Sequence, residues 1–270
     1  MRGEARRESM IAYLTRCETA TVEELAEELR VSKMTIHRDL DLLAQQRLVR
    51  KLRGGATMQP SVLFESDYRY RRRKNRDLKC RLAEAAAVYI EPGMALALDD
   101  STTVGQLAPL LLQKRPLTLL TNSLALMSEF SEVDEISLIS AGGVYDKTSG
   151  AFIGQVAEKS IGSLWVDLLI MSVPAVRNGV AFFHNPDLAR TKRAMLEIAS
   201  KKIVLFDASK LEKTALHRFG HLSVFDEVLV AGAVPNEVRV ELADAGVKLT
   251  MVEGGDEGLA PPQVKAVARA

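Results

Sequence analysis

Cysteine is scarce in the sequence, and long apolar runs are missing. Only Cys17 and Cys80 occur among the 270 residues, far apart and without partners at metal-ligand spacing, so we expect neither a disulfide framework nor a metal site. The longest apolar runs, such as 94–98 and 168–176, are well short of the ~20 residues that a membrane-spanning helix needs. The first residues are charged and show no signal-peptide pattern, so we expect a cytoplasmic protein with no membrane partner.

The charges balance overall but are unevenly distributed. The chain has 36 Lys and Arg against 35 Asp and Glu, and 47% of its residues are hydrophobic, as is typical of a globular protein. Its length of 270 residues predicts two domains. Between Lys33 and Arg53, six basic residues are opposed only by Asp39 and Asp41, and such a local excess favours binding to phosphates. A second basic run, 69–81, is interpreted as a solvated linker helix, with DNA contact as the alternative.

Three short helices are predicted in the first part of the chain. The segment Thr21-Val22-Glu23-Glu24 has the form of a capping box, and apolar residues then recur at helical spacing. Ser32 can cap a second helix with an apolar stripe from Ile36 to Leu43, and an earlier helix, 7–14, completes a minimal core. A helix-turn-helix of this kind fits the major groove of DNA, and a small bundle with a polar surface is the alternative.

A hairpin is predicted after the second helix. Residues 48–56 alternate apolar and basic side chains and end in Gly54-Gly55-Ala56, which predicts the strands of a wing. Residues 31–40, Val-Ser-Lys-Met-Thr-Ile-His-Arg-Asp-Leu, together with 53–56, Arg-Gly-Gly-Ala, resemble the DNA-binding signature of the DeoR-type repressors. His37 stands where this signature usually has an arginine, and Arg47 stands where a glycine is common.

This resemblance implies a winged helix-turn-helix that binds double-stranded operator DNA. The side chains expected at the DNA are Ser32, Lys33, Thr35, His37, Arg38, Arg50, Lys51 and Arg53. The basic residues of the wing would hold phosphates, which fixes the register on the duplex without reading its sequence. The imidazole of His37 cannot reproduce the bidentate fork of an arginine, so the family signature does not define the operator sequence here, and Arg38 is the stronger candidate for reading it.

Six short apolar runs predict strands in the larger, C-terminal part. Segments of helical period separate them, which favours a mostly parallel sheet covered on both faces. The runs are 94–98, 117–120, 136–139, 168–171, 203–206 and 228–230. Polar turns follow the first, second, third and fifth of them. In an open parallel sheet these turns lie at the carboxyl ends of the strands, where ligands bind, so we expect them to converge.

The expected ligand site consists of polar residues in these turns. Its members are Asp99, Ser101, Thr102, Thr103, Thr121, Asn122, Gly142, Gly143 and Lys210. The hydroxyl and N–H groups of 101–103, at the start of a helix expected over 104–112, suit a phosphate, and Lys210 can add a positive charge. Asp99 and Asn122 are candidates for the hydroxyls of a sugar. Each turn taken alone is equally typical of a helix cap.

The same turns resemble those of the DeoR-family sensor domain, which has an Asp-x-Gly-Thr-Thr loop, a Thr-Asn turn, Gly-Gly and Asp-x-Ser-Lys in this order. The resemblance extends over 6–252, with Ser101 in place of the loop glycine. It implies a fold similar to ribose-5-phosphate isomerase and a phosphorylated sugar or polyol as effector. It also implies a repressor of a carbohydrate or polyol operon, which would read paired half-sites as a homodimer or homotetramer.

The predicted fold class is therefore α/β, with a small winged helix-turn-helix domain joined to a larger sensor domain that has a mostly parallel sheet. The DNA-binding domain is expected at 3–58, with its helix-turn-helix at 20–39. A linker at 59–78, a sensor domain at 79–252 and a disordered tail at 253–270 complete the expected organisation.

An isomerase-like enzyme with an accessory DNA-binding domain is the alternative. Asp99, Asp100 and Asp167 could act as general bases, but the Asp-Gly-Ala-Asp-Glu and Lys-Gly-Gly-Gly stretches of such isomerases are absent from the sequence. Because a shared fold does not imply a shared activity, we expect a regulator without a catalytic residue, metal or cofactor. An activator is a further alternative, because the position of the operator decides between repression and activation.

Overall fold

The computed structural model describes residues 3–17, 19–45, 48–57, 68–252 and 265–266. The chain divides into two compact units, one ending at Lys74 and the other beginning at Asn75. Residues 59–67 of the predicted linker and most of the predicted tail lie outside the described residues. Each unit has its own hydrophobic core.

The N-terminal unit combines helices with a small antiparallel sheet. Its helices are α1 (Gly3–Cys17), α2 (Val22–Leu29), α3 (Lys33–Gln45) and α4 (Tyr68–Arg73). Its strands are β1 (Thr19–Thr21), β2 (Arg50–Leu52) and β3 (Gly55–Thr57), in the order β1-β3-β2. The predicted helix-turn-helix and wing are confirmed, while β1, which pairs with β3, was not predicted.

Local chemistry explains where the helix-turn-helix begins and turns. The Thr21 hydroxyl accepts a hydrogen bond from the Glu24 N–H at 3.1 Å, and the Glu24 carboxylate accepts one from the Thr21 N–H at 2.7 Å. Helix α2 ends at Leu29, and the next residue, Arg30, has a left-handed backbone (φ 51°) that starts the turn. The apolar stripes of α1, α2 and α3 then meet in one core, where Leu25 and Ile36 are fully buried.

The C-terminal unit is built on a long sheet. Seven parallel strands and one short antiparallel strand follow the order β16-β15-β14-β12-β9-β4-β5-β6. These strands are β4 (Ala95–Leu98), β5 (Leu117–Thr121), β6 (Ile136–Ser140), β9 (Val166–Ser172), β12 (Ala199–Asp207), β14 (Glu227–Ala231), β15 (Leu249–Val252) and β16 (Lys265–Ala266). The predicted α/β class with a mostly parallel sheet is confirmed.

Helices and two smaller strand groups surround this sheet. The helices are α5 (Arg76–Ala87), α6 (Ala108–Leu111), α7 (Leu124–Phe130), α8 (Gln155–Ile161), α9 (Pro186–Glu197) and α10 (Asn236–Asp244). One strand group is the hairpin of β7 (Val144–Asp146) and β8 (Ala151–Ile153), and the other consists of β10 (Ala175–Arg177), β11 (Val180–Phe183) and β13 (His217–His221).

Both faces of the long sheet are buried, as its continuous apolar strands predict. Along β9, Leu168 and Ile170 belong to the core on the α5 side, whereas Leu169 and Met171 belong to the core on the other side. Alternate residues of a strand point to opposite faces, which accounts for this division. No helix in the described part of the chain is long and apolar enough to cross a membrane.

Two element boundaries differ from the sequence predictions. Helix α5 begins at Arg76, so the C-terminal unit includes residues that were assigned to the linker. The helix expected over 104–112 is a 3-10 helix, Val104–Leu107, followed by the single turn of α6. Pro109 lies in the first turn of α6 and lacks a backbone N–H, a position that a proline tolerates only where a helix starts.

Candidate DNA-binding surface and ligand site

Helix α3 separates its side chains into a buried and an exposed face. Ile36 and Leu40 are buried in the core, whereas Lys33, His37 and Arg38 are exposed. The Ser32 hydroxyl accepts a hydrogen bond from the N–H of the half-buried Thr35 at 3.2 Å, so it fixes the start of α3. The structure therefore brings the predicted reading residues of this helix together on its free face.

Asp39 is a structural residue that the sequence reasoning placed among the surface charges. Its carboxylate is buried, with 3% of the residue exposed, and it accepts a hydrogen bond from Arg6 Nε at 2.6 Å. Arg7 Nη1 lies 3.4 Å from the other carboxylate oxygen. Two α1 arginines thus neutralise this charge, and Asp39 does not offset the basic surface. Its position three residues after Ile36, within the apolar stripe, is the signal that indicates its burial.

Some basic residues of α3 and the wing form ion pairs with acidic residues, and others do not. Lys33 pairs with Glu23, and the Lys51 ammonium lies 2.6 Å from the Asp41 carboxylate. Such exposed pairs contribute little stability and yield readily to a phosphate. The side chains of Arg38, Arg50 and Arg53 are exposed and form no ion pair or hydrogen bond within the described residues. Arg47 lies outside the described residues.

Glycine shapes the wing between β2 and β3. The turn consists of Arg53 and Gly54, and Gly54 has a φ of 79°, which favours glycine. A Cβ at Gly55 would lie 2.4 Å from the Ala20 carbonyl oxygen in β1, so only glycine permits this approach of the two strands. The Gly-Gly pair therefore presents Arg53 at the tip of a short, well-defined hairpin.

The predicted ligand residues meet at the carboxyl edge of the long sheet. In the strand register, Leu98 pairs with Thr121 and Ile170, and Thr121 pairs with Ser140. Leu205 near the end of β12 pairs with Ser172 at the end of β9. The turns after β4, β5, β6, β9 and β12 consequently lie along one edge. Asp167, considered above as a base, is near the opposite edge and accepts a hydrogen bond from the Ala95 N–H at 2.8 Å.

Asp99 holds the turn after β4 in place. One carboxylate oxygen accepts a hydrogen bond from the Ser101 N–H at 2.9 Å. The other accepts from the Ser172 N–H at 2.9 Å and from the Lys192 ammonium at 2.5 Å. Asp99 is fully buried, so both oxygens are already engaged. This arrangement favours a positioning role for Asp99 over the predicted contact with a sugar hydroxyl.

Lys192 is a buried cation that the sequence reasoning missed. Only 2% of the residue is exposed, and its ammonium lies 2.9 Å from Asp100 as well as 2.5 Å from Asp99. Burial lowers the pKa of this ammonium, but Asp100 and Asp99 raise it by more, so its pKa lies above the usual value and the group stays charged. Its place on α9, between the buried Leu188 and Met195 at helical spacing, is the signal for its burial.

Lys79 is a second missed cation. It lies on the buried face of α5, and its ammonium donates a hydrogen bond to the Thr102 hydroxyl at 3.1 Å. Its spacing of three residues before the buried Leu82 was the available signal. The hydroxyl of Ser101 accepts a hydrogen bond from the Val104 N–H at 3.1 Å, so the serine that replaces the family's glycine acts as a cap. Thr102 and Thr103 are buried beside it, and their N–H groups donate no hydrogen bond within the described residues.

The turn after β5 has one polar atom without a partner. The Thr121 hydroxyl accepts a hydrogen bond from the Ser123 N–H at 3.0 Å, and Ser123 caps α7, so both hydroxyls have structural roles. Asn122 is fully buried and donates to the Phe152 carbonyl oxygen at 3.4 Å. Its Oδ1 has no hydrogen-bond partner within the described residues. Because a buried acceptor without a donor is costly, this oxygen is suited to a ligand donor.

The two glycines after β6 differ in their surroundings. Gly143 has a φ of 107°, and a Cβ there would lie 2.6 Å from the Ile153 carbonyl oxygen, so packing against β8 requires glycine. Gly142 has a φ of 66°, and its N–H donates to the Ser140 hydroxyl at 3.2 Å. Both glycines shape the turn through their backbone.

The turn after β12 contains a buried carboxylate next to Lys210. Asp207 accepts hydrogen bonds from the Ser209 N–H at 3.1 Å and from the Asn75 side-chain amide at 2.9 Å. Burial raises the pKa of Asp207, but the Lys210 cation and these hydrogen bonds lower it by more, so its pKa lies below the usual value. Lys210 is half-buried.

The histidines and cysteines form no evident site of their own. His221 accepts a hydrogen bond from the Ser223 N–H at 3.3 Å and so caps a short 3-10 helix. Cys80 lies 3.4 Å from the Gln106 side-chain oxygen, and Cys17 is exposed. No group of three or more His, Cys, Asp or Glu side chains that could hold a metal ion occurs in the part of the chain that the structure describes.

Two parts of the chain match the two domains of one known protein family. Residues 6–62 match the DeoR-like helix-turn-helix domain, and residues 74–231 match the DeoR C terminal sensor domain. The chain belongs to the DeoR family. It therefore has the DNA-binding and sensor domains of a transcription regulator, in the order that its sequence resemblance implied.

Individual DeoR-family relatives match nearly the whole chain. The HTH-type transcriptional repressor GlcR of Bacillus subtilis (strain 168) is 30% identical over 260 residues, which cover 96% of this chain and 99% of GlcR. The glycerol-3-phosphate regulon repressor of Escherichia coli (strain K12) is 29% identical over 232 residues, which cover 86% of this chain and 92% of that repressor. Both relatives are named as repressors and not as enzymes, in agreement with the DNA-binding and sensor domains of this chain.

Among solved structures, ribose 5 phosphate isomerase A from Neisseria gonorrhoeae matches with a TM-score of 0.40 and 11% identity. The match covers 72% of this chain and 97% of the isomerase. Similarity at this level does not indicate a shared activity.

Proposed function

We propose that this DeoR-family regulator is a repressor that leaves its operator when a phosphorylated sugar or polyol binds at the carboxyl edge of the long sheet. The observation that supports this most directly is a pair of lysines at that edge: Lys79 donates to the Thr102 hydroxyl in the turn after β4, and Lys210 lies next to Asp207 in the turn after β12. The names of GlcR and of the glycerol-3-phosphate regulon repressor support repression and a link to phosphorylated metabolites.

The DNA is bound by α3 and the wing. His37 and Arg38 read base edges in the major groove, and their exposure on the free face of α3 supports this role. Arg50 on β2 and Arg53 in the hairpin turn hold phosphates, and Lys51 joins them by exchanging Asp41 for a phosphate. Ser32, Lys33 and Thr35 lie at the start of α3 and contact the backbone of the same groove.

The phosphate of the effector binds to the turn after β4. The N–H groups of Thr102 and Thr103 and the Thr102 hydroxyl donate to its oxygens, and Lys79 supplies a positive charge from α5. Lys210 approaches from the turn after β12. Asp99 positions this turn and does not contact the ligand, since both of its carboxylate oxygens already have partners. The Ser101 oxygen caps the turn by accepting from the Val104 N–H, and its hydroxyl hydrogen can still donate to the phosphate.

The sugar or polyol part of the effector lies toward the turns after β5 and β6. Asn122 Oδ1 accepts a hydrogen bond from a ligand hydroxyl, which satisfies a buried oxygen that has no donor among the described residues. Thr121 aligns this turn, and its carbonyl oxygen accepts a hydrogen bond from the Ala141 N–H after β6 at 2.9 Å. Gly142 and Gly143 follow in the same segment, and Gly143 lets it pack closely against Ile153 of β8. A phosphate at one end and hydroxyl donors at the other describe a phosphorylated polyhydroxy compound.

The test compares phosphorylated sugars and polyols with their unphosphorylated forms. In a thermal-shift assay, a compound that binds the native state raises the melting temperature, and only phosphorylated members of the panel should do so. The same compound should weaken operator binding in a fluorescence-anisotropy titration, by about 5–150-fold for a coupling of typical size. A panel in which no phosphorylated compound has either effect contradicts the proposed function.

Lys210→Ala should separate release from DNA binding. The variant is expected to bind the operator with the affinity of the native protein but to require a much higher effector concentration for release, because the phosphate loses a cation. Lys201→Ala is the matched control, since Lys201 is exposed near the other end of the same strand, β12. Release of Lys210→Ala at the native effector concentration would place the phosphate elsewhere.

We also propose that the regulator acts as a homodimer or homotetramer. A single small winged domain offers few base contacts, and paired half-sites double them. Light scattering at micromolar concentration, with and without operator DNA, should give a mass of two or four chains. A monomer under both conditions would contradict this proposal.

A further inference from the structure

Asn75 occupies an unusual place in the chain. It is the first residue of the C-terminal unit, directly after Lys74, the last residue of the N-terminal unit. Its backbone is left-handed, with φ 53° and ψ 40°, a conformation that is uncommon for residues other than glycine. Asn75 precedes the first turn of α5, yet its side chain forms no capping hydrogen bond to that helix. The side chain is therefore engaged elsewhere.

Its partners lie in the turn after β12. The Asn75 amide donates to the Asp207 carboxylate at 2.9 Å and to the Ser209 hydroxyl at 3.3 Å, across more than 130 residues of sequence. Asp207 is buried, and its charge is also stabilised by Lys210. One turn further along α5, Lys79 donates to Thr102. The beginning of α5 thus touches both turns that are proposed to hold the phosphate.

We propose that Asn75 couples the ligand site to the peptide that joins the two units. This inference rests on the proposed function, because it concerns the regulation of the same site. When a phosphate binds to the turn after β4 and to Lys210, the turn 207–210 rearranges around the ligand, which it does not do when Lys210 is merely absent. The hydrogen bonds that hold Asn75 in its left-handed conformation then change, and so does the backbone direction at Lys74–Asn75.

The ligand-free and ligand-bound states differ, in this scheme, in the hydrogen bonds that Asn75 forms. Such a difference can transmit ligand binding to the junction of the two units. A ligand shifts an equilibrium only through its different affinity for the two states, and here the Asp207–Asn75 contact provides such a difference. The junction is covalent, so a change of φ and ψ at Asn75 reaches the N-terminal unit without any further contact. Asn75 is a positioning residue in this scheme, and it does not touch the ligand.

The test uses Asn75→Gly, with Asn75→Asp as a second variant. Glycine adopts the left-handed conformation readily but has no amide, and aspartate keeps the shape but repels Asp207. Asn178→Gly is the matched control, because Asn178 has a similar φ of 48° in the exposed turn between β10 and β11. Each protein is titrated with operator DNA in the absence and presence of glycerol-3-phosphate, ribose-5-phosphate, glucose-6-phosphate and inorganic phosphate. Ligand binding is measured separately by thermal shift.

The expected result is a loss of coupling without a loss of binding. In the native protein and in Asn178→Gly, an effective compound should change the operator Kd by about 5–150-fold. In both Asn75 variants this ratio should fall to nearly one, while the compound still raises the melting temperature as it does in the native protein. Native-like coupling in Asn75→Gly, or loss of the thermal shift in either variant, would overturn the inference. If no compound affects the native protein, the proposed function fails and this inference fails with it.

Discussion

Lys192→Met is expected to lower the free energy of unfolding of the C-terminal unit by about 3–5 kcal/mol, the usual result of removing one partner from a buried ion pair. The substitution keeps most of the side-chain volume but leaves Asp99 and Asp100 without their shared cation. Both carboxylates are essentially buried, at 0% and 1% exposure, so water cannot replace the ammonium without opening the core. The packing of Lys192 against the Phe183 ring, 5.3 Å from its centroid, would be largely retained by methionine.

Urea denaturation followed by circular dichroism measures this loss as a lower transition midpoint at an unchanged slope. Lys147→Met is the control, because this exposed lysine forms no ion pair or ring contact within the described residues and should change the stability by no more than about 0.5 kcal/mol. Combining Lys192→Met with Asp99→Asn and Asp100→Asn should recover part of the loss, since no buried charge then remains unpaired. A Lys192→Met protein as stable as the native one would show that Lys192, Asp99 and Asp100 do not form a buried charge cluster in solution.

The buried charge cluster illustrates why part of the ligand site could not be predicted from the sequence. The order of apolar runs and polar turns was sufficient to place Thr102, Asn122 and Lys210 at one edge of a parallel sheet, because strand direction determines which ends meet. The roles of the individual side chains depend on partners that are distant in sequence. From its position after β4, Asp99 is predicted to bind the ligand. Its actual partner, Lys192, is 93 residues away in the sequence.

Local signals were more complete in the N-terminal unit. The capping box at Thr21, the helical spacing of the core residues and the Gly54-Gly55 pair each depend on near neighbours, and all three predicted features are present in the structure. The exception is Asp39, whose partners are Arg6 and Arg7 on α1. A carboxylate on the apolar stripe of one helix and arginines on another become interpretable only when the packing of the helices is known.

Arg38→Ala is expected to weaken specific operator binding by about 1–3 kcal/mol, equivalent to roughly 5–150-fold in Kd, as for the loss of a base-edge or phosphate contact. Arg38 is exposed on α3, and its guanidinium forms no ion pair within the described residues, so binding DNA requires no protein contact to be broken first. The neighbouring Asp39 is neutralised by Arg6 and Arg7, which leaves the positive potential of Arg38 undiminished on that face. Its removal should therefore affect DNA binding and leave folding unchanged.

Gel-shift titrations on the operator and on an unrelated duplex, repeated at several matched salt concentrations, distinguish a base contact from a phosphate contact. If Arg38 reads a base, Arg38→Ala lowers the affinity for the operator far more than for the unrelated duplex, and Arg38→Lys does not restore the difference because lysine lacks the bidentate fork. If Arg38 holds a phosphate, the affinities for both duplexes fall together, and the slope of the logarithm of the binding constant against the logarithm of the salt concentration decreases by about one. Arg218→Ala is the control, since this arginine is exposed on the C-terminal unit. Operator binding by Arg38→Ala that equals that of Arg218→Ala would remove Arg38 from the DNA interface.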